Sequence, residues 1–201
     1  MTGNNKYEYK DPDYVYTDPA TGTLRNKLSI SEHGILQDIE SFEVGRRLEE
    51  LENKPLKIKS SYSLLTIHDY LFQDLYDWAG KVRTVQISKE GKPFLPTDRF
   101  SEGFSYINDL ITEYWNMDDD VYLLSKQLAV ILDAINFLHP FREGNGRTQR
   151  EFIRILALEK SYRLGLNPAD DKTVYDKYMQ GTIEGDIELL ASLIESIIEK
   201  T

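Results

Sequence analysis

The chain has 201 residues, 34 acidic and 24 basic, for a formal charge of -10. That length can bury a substantial core in one domain, and the charge repels nucleic acid phosphates. The absence of cysteine excludes a disulfide framework, a thiolate zinc site and cysteine redox chemistry, and fits a reducing cytoplasm. The polar N-terminus has no apolar stretch of secretory length and no later run reads as the roughly 18 apolar residues of a membrane span, so neither nucleic acid nor membrane is an expected ligand.

Residues 1–28 are rich in Tyr, Asp, Pro, Thr and Gly, with turn chemistry at Asp18-Pro19-Ala20-Thr21-Gly22. They are expected to form an irregular arm ahead of one domain over 29–201. Ser31-Glu32-His33-Gly34 precedes Ile35, Ile39, Phe42, Arg46 and Leu48, which predicts a first helix ending near Leu51. A second is predicted over 63–78, where Leu64, Ile67, Leu71, Leu75 and Trp78 share a stripe and Gly80 is placed to end the helix. His68 lies beside that stripe with no evident catalytic partner and reads as structural. His33 reads as a helix-start residue.

Residues 81–96 change period. Val82, Thr84, Gln86 and Ser88 alternate with Arg83, Val85 and Ile87, and Glu90-Gly91-Lys92 supplies a turn, so a short β-hairpin is expected in an otherwise helical protein. Asp98 or Ser101 is a candidate cap for a helix running to about Trp115, and 117–120 reads as a charged loop. Leu124, Leu128, Ile131, Ile135 and Leu138 mark a helix over 121–138 with one buried face, stopped by Pro140. Further helices are expected over about 147–160 and 186–198, the latter capped by Asp186. No internal repeat is present. The fold class is therefore mainly α with one small hairpin, and the irregular segment 139–146 falls between the two best-supported helices.

That segment concentrates chemistry. In His139-Pro140-Phe141-Arg142-Glu143-Gly144-Asn145-Gly146-Arg147 the two glycines permit positive φ, so successive N–H groups can form an anion nest at the start of the next helix. Arg147, Arg150 and Arg154 recur at three and four residues, on one face, where guanidinium forks suit phosphate. Glu143 is a hard oxygen ligand of the kind that joins nucleotide phosphates in holding magnesium, and His139 is a candidate general base. Each residue alone has a plain structural use: Gly-Asn-Gly is ordinary turn chemistry, arginines solvate a surface, and a histidine caps a helix end. Their conjunction favours a phosphate site. A Walker loop is excluded for want of its Lys-Ser/Thr, and a dinucleotide loop because Gln149 stands where a third glycine belongs.

The run from His139 to Arg150 resembles, without departure, the signature of the Fic family, His-x-Phe-x-Asp/Glu-Gly-Asn-Gly-Arg-x-x-Arg. Leu24-Arg25-Asn26-Lys27-Leu28, the stretch from Ile67-His68 to Trp78-Ala79-Gly80-Lys81-Val82-Arg83, Ile87-Ser88-Lys89, Phe94, Tyr178-Met179 and Gly185-Asp186 continue the likeness. The resemblance implies a helical bundle that uses ATP with Mg2+ to adenylylate a Ser, Thr or Tyr hydroxyl of a target protein. It makes His139 the base, Phe141 the loop's anchor in the core and Glu143 the magnesium ligand. Gly144, Asn145 and Gly146 become the cradle of the α- and β-phosphates, Arg147 the contact at the β/γ end and Arg150 the γ-phosphate contact. Lys92, Pro93 and Phe94 lie on the flap that holds the target by strand-like pairing.

Two other readings stay open: the kinase-like Doc toxins, which carry Lys where this chain has Gly146, and a catalytically silent binding module on the same fold. Removal of AMP is chemically allowed as well. The Ser/Thr-x-x-x-Glu-Gly/Asn mark of an internal inhibitory helix is missing, since Glu52, Glu90, Glu102, Glu143 and Glu184 follow Leu48, Gln86, Asp98, His139 and Gln180 at four residues. The chain thus resembles the branch silenced by a separate antitoxin, whose targets include type II topoisomerase subunits. Cytoplasmic action is expected, and the Fic part of a longer secreted effector is the competing setting.

Overall fold

A computed structural model describes residues 7–89 and 91–201, the first four by backbone alone. Among the described residues seven α-helices form the body: α1 (His33–Asn53), α2 (Ser63–Phe72), α3 (Phe100–Asn116), α4 (Val121–Leu138), α5 (Asn145–Glu159), α6 (Lys172–Glu184) and α7 (Ile187–Ile197). Strands β1 (Tyr7–Lys10), β2 (Gln86–Lys89) and β3 (Lys92–Pro93) make a sheet in the order β1-β2-β3, and β4 (Tyr162–Arg163) pairs with β5 (Glu199–Lys200). The mainly helical class with a small hairpin is as the sequence predicts.

Helix α4 is the axis of the body. Leu124, Leu128, Ile131, Leu132, Ile135 and Leu138 are all buried, packed by α3, α5 and α7, and Asp120 caps the helix by accepting from the Leu123 N–H at 3.0 Å. Its 18 residues have a mean hydropathy of 1.5, so by length and composition α4 does meet the description of a membrane span, against the reading of the sequence. That apolarity is spent on three neighbouring helices.

Three expectations are corrected. The buried side of α1 is Leu36, Glu40, Val44 and Leu51, while Ile35 and Phe42 of the predicted stripe are 46% and 71% exposed. A carboxylate thus occupies a core position of α1. Helix α2 stops six residues early, because the arm takes the carbonyls that would continue it: Lys27 Nζ donates to the Gln73 carbonyl at 2.7 Å and the Lys27 N–H to that of Leu75 at 2.8 Å. The arm is also not wholly irregular, since β1 pairs antiparallel with β2, Tyr9 opposite Ile87.

The hairpin forms with Lys89 opposite Lys92 and Gly91 at φ +76; Glu90 of the predicted turn lies outside the described residues. Asp186 caps α7 as expected, accepting from the Leu189 N–H at 2.9 Å. Helix α6 is missed by periodicity because it buries only Tyr178, Gly181 and Thr182. A Cβ at Gly181 would lie 2.7 Å from Leu190, so a missing side chain makes the approach of α6 to α7.

Candidate functional site

The segment between α4 and α5 is built by hydrogen bonds before it binds anything. His139 ends α4 in the left-handed conformation, φ 42 and ψ 59, sparsely populated for a residue with a side chain. Phe141 is buried at 1% exposure, and the Asn145 amide clasps its backbone from both sides, accepting from the Phe141 N–H at 2.9 Å and donating to its carbonyl at 2.7 Å. The Asn145 side chain is therefore a brace for the loop, and only its backbone N–H can join an anion nest. Gly144 stands at φ +80, and a Cβ there would fall 2.3 Å from the Phe72 ring. Thr148 closes the turn, its N–H and its hydroxyl each donating to the Gly144 carbonyl at 3.0 Å. Helix α5 then starts at Asn145, and first-turn N–H groups are the ones a helix leaves for a ligand.

His68 fastens this loop from behind. The Gly80 N–H donates to Nδ1 at 2.9 Å, so Nε2 carries the proton and donates to the Glu143 carbonyl at 3.1 Å. The ring lies on Phe141, centroids 3.8 Å apart. Burial pushes its pKa down to about 3. The structural role read from the sequence holds.

His139 is also neutral, its pKa lowered to about 3 by burial. Nδ1–H donates to the Asn136 carbonyl at 3.2 Å, which leaves the basic lone pair on Nε2. Phe94 lies on the imidazole face at 3.8 Å. His139, Gly146 and Gln149 form one wall of a cavity of about 300 Å³, with Lys92, Pro93 and Phe94 of the hairpin over it and Tyr178, Met179 and Thr182 of α6 facing them.

The three arginines do not act as one face. Arg147 lies over the Phe72 ring, 4.8 Å from its centroid, bonded at 2.5 Å to Glu40 Oε1 and 3.7 Å from Glu143. Glu40 also accepts from the Tyr76 hydroxyl. Arg150 turns the other way, donating to Asn167 Oδ1 at 2.9 Å, over Tyr175 and Tyr178, with Nη1 3.3 Å from where a Cβ of Gly146 would be. Arg154 is paired with Glu151 at 2.7 Å, seven residues and thus about 10.5 Å further along the helix, and is out of reach of its N-terminus.

Glu143 carries the carboxylate at the mouth of the loop, its side chain 38% exposed, with Oε1 accepting from the Gly144 N–H at 3.0 Å. Among the described residues no group of three His, Asp or Glu could hold a metal. A lone hard carboxylate beside a phosphate nest suits magnesium that takes its other ligands from phosphate and water.

Two contributors escaped the sequence reading. Glu40 is one; a buried polar residue inside the apolar period of α1 was its only signal. Arg83 is the other, 1% exposed and lowered to about 10 by burial, and its place in an alternating strand pattern concealed it.

The Fic/DOC family model matches residues 59–157. The chain is 30% identical over 194 residues to the probable protein adenylyltransferase Fic of Escherichia coli strain K12, covering 96% of this chain and 94% of that protein. It is 32% identical over 192 residues to the protein adenylyltransferase VbhT of Bartonella schoenbuchensis, matching 93% of this chain and spanning 39% of VbhT. Its fold is similar to that of BepC, a VirB-translocated effector of Bartonella tribocorum with bound AMPPNP, with TM-score 0.81, 20% identity and coverage of 94% and 98%. It is equally similar to the Fic domain of a Bartonella quintana effector with bound ADP, TM-score 0.81, 22% identity, 94% and 96% covered.

Proposed function

Because the chain belongs to the Fic/DOC family, we propose that it is a protein adenylyltransferase, moving AMP from ATP to a Ser, Thr or Tyr hydroxyl of a second protein. The observation that carries this reading is that His139, a neutral imidazole, and Gly146, the last residue of the proposed phosphate cradle, line one cavity with the hairpin. The AMPPNP and ADP in the two Bartonella structures support ATP as the donor.

In this reading Nε2 of His139 takes the proton of the target hydroxyl as its oxygen bonds to the α-phosphorus. The bond from that phosphorus to the bridging oxygen of the β-phosphate breaks, and pyrophosphate leaves. The first-turn N–H groups of α5 face the phosphate oxygens, Arg147 meets the β/γ end and Arg150 the γ-phosphate, so that positioning and fixed positive charge do the work. Magnesium held by Glu143 and the phosphates would neutralise charge building on the leaving group. A buried imidazole near pKa 3 is a weak base, but it is fully deprotonated at neutral pH, and the negative charge of bound ATP raises its proton affinity as the reaction requires. Lys92, Pro93 and Phe94 present the hairpin edge along which an extended target segment pairs.

Regulation and setting follow the same reading. In the cytoplasm a separate antitoxin delivers a glutamate that captures Arg150, and the target is a type II topoisomerase subunit. The placement of Arg150 Nη1 beside Gly146 supports a guanidinium that meets the γ-phosphate, and such a group cannot serve a carboxylate as well.

The test is to incubate the chain with target protein and ATP labelled at the α- or the γ-phosphate. Label should pass to protein from the α position alone. His139→Ala should lower transfer about 10²–10⁴-fold while Mg-ATP still binds. Transfer of the γ-label would replace this reading with a kinase.

A further inference from the structure

Arg83 sits where three chain segments meet, and every hydrogen bond it makes goes to a carbonyl. Nε donates to the carbonyl of His139 at 2.8 Å, Nη1 to that of Val85 at 2.6 Å and Nη2 to that of Leu95 at 2.7 Å. Its backbone N–H donates to the Pro140 carbonyl at 2.7 Å, and its guanidinium lies over the Phe100 ring at 4.9 Å. Val85 directly precedes β2 and Leu95 follows β3 by two residues, so one planar fork joins both stems of the hairpin to His139, the first residue of the loop, and the Arg83 backbone N–H adds Pro140. Among the described residues no carboxylate is within ion-pair distance of it. A charge that is 1% exposed and compensated by carbonyl dipoles and one aromatic face is an expensive way to hold a core together, and an apolar side chain would pack there at less cost.

We propose that Arg83 is a positioning residue for transfer, setting the left-handed backbone of His139 and the height of the hairpin above it as a single unit. This rests on the adenylyl-transfer reading. Geometry supplies the reason. His139 at φ 42 is held in a conformation that is unfavourable by itself, and such residues persist only where their surroundings over-determine them. Its carbonyl is pinned by Arg83, its N–H by the Ile135 carbonyl at 3.1 Å, and its ring by Asn136 and Phe94. The hairpin that carries Phe94 is tied to the same guanidinium, and the Leu95 N–H adds a bond to the Phe137 carbonyl at 3.0 Å. The base and the strand that would present the hydroxyl to it therefore share one reference point. A lysine there would offer a point charge on a flexible stem, unable to reach three carbonyls in a plane.

The chain has three histidines, so 15N-histidine labelling resolves the imidazole signals of His33, His68 and His139 in one spectrum. In Arg83→Met, studied below its own melting temperature, the His139 signals should move while those of His68 stay. The rate constant kcat should fall about 10²-fold, the loss typical of a reacting group displaced by an ångström, with the Kd for Mg-ATP unchanged. Arg83→Lys should recover only part of the rate. A folded Arg83→Met with unmoved His139 signals, or a loss of rate matched by an equal loss of Mg-ATP affinity, overturns the proposal. Should Arg83→Met fail to fold, Arg83→Lys carries the same comparison. A wild-type chain that transfers no label sinks the adenylyl-transfer reading instead, and Arg83 then stands or falls on the His139 signals.

Discussion

The Phe94 ring lies flat on the imidazole of His139, centroids 3.8 Å apart and planes 14° from parallel. A hairpin residue thus helps to keep water from the base, and burial is the first cause of the depressed His139 pKa. Phe94→Ala should let that pKa rise from about 3 toward the ordinary 6.5. An NMR titration of the His139 ring checks this. A midpoint still near 3 would assign the desolvation to the α4 side of the ring alone.

Glu40 and Arg147 form a pair across α1 and α5 in which each group has further work: Glu40 accepts from Tyr76 and Arg147 covers Phe72. With Arg147 23% exposed, the pair is partly screened, so Glu40→Ala should cost about 2 kcal/mol, below the range for a fully buried pair. In a double-mutant cycle with Arg147→Ala the combined loss should be smaller than the sum by about 1 kcal/mol. Additive urea-denaturation free energies would mean that the pair is not coupled.

Stability should fall on mild acidification. His68 and His139 have pKa values lowered by burial to about 3, whereas in an unfolded chain histidine titrates near 6.5. As pH falls through 6.5 the unfolded state takes up protons that the folded state refuses. The stabilisation is complete above 6.5 and drains away toward 3, at about 1.4 kcal/mol per pH unit for each residue. Urea denaturation at pH 7, 6 and 5 checks this on the wild type and on an Asp133→Asn/Glu151→Gln control, because burial raises both of those carboxyls and opposes the trend; a flat profile in both proteins would contradict the neutral burial of both rings.

The fold was legible where one period dominates. Helix α4 runs over the residues its stripe predicts, because every third or fourth position is apolar and an Asp stands at its N-cap. Periodicity failed where tertiary contacts set the boundary: Lys27 ends α2 from a distant part of the chain, and α6 depends on Gly181 meeting α7. The loop from His139 to Arg150 was legible as candidate chemistry only as a conjunction, since each of its residue types alone has a plain structural use. The partners that shape it were not. Glu40 and Arg83 sit 107 and 56 residues from their contacts at Arg147 and His139, and no local pattern encodes such a separation.

The two glycines of the loop should answer to the same substitution with opposite signs. Gly144 needs φ +80, and a Cβ there meets the Phe72 ring at 2.3 Å. An alanine would bear about 1–2 kcal/mol for the left-handed backbone and about 1–3 kcal/mol for overpacking against a core ring, so Gly144→Ala should destabilise the fold by about 3 kcal/mol. Gly146 lies inside α5 with no positive φ, and the only neighbour a Cβ would meet within 4 Å is Arg150 Nη1, at 3.3 Å. Alanine favours a helix over glycine by about 1 kcal/mol, so Gly146→Ala should leave stability unchanged or slightly raised. Its cost should fall on binding, because the methyl pushes aside the guanidinium assigned to the γ-phosphate and crowds an N–H of the nest. Urea denaturation and calorimetric titration with Mg-ATP on both variants separate the effects. Gly146→Ala should bind Mg-ATP about tenfold or more weakly, a loss of about 1.4 kcal/mol or more, at wild-type stability. If it binds ATP as the wild type does, Gly146 is only a helix residue and the phosphate cradle lies elsewhere.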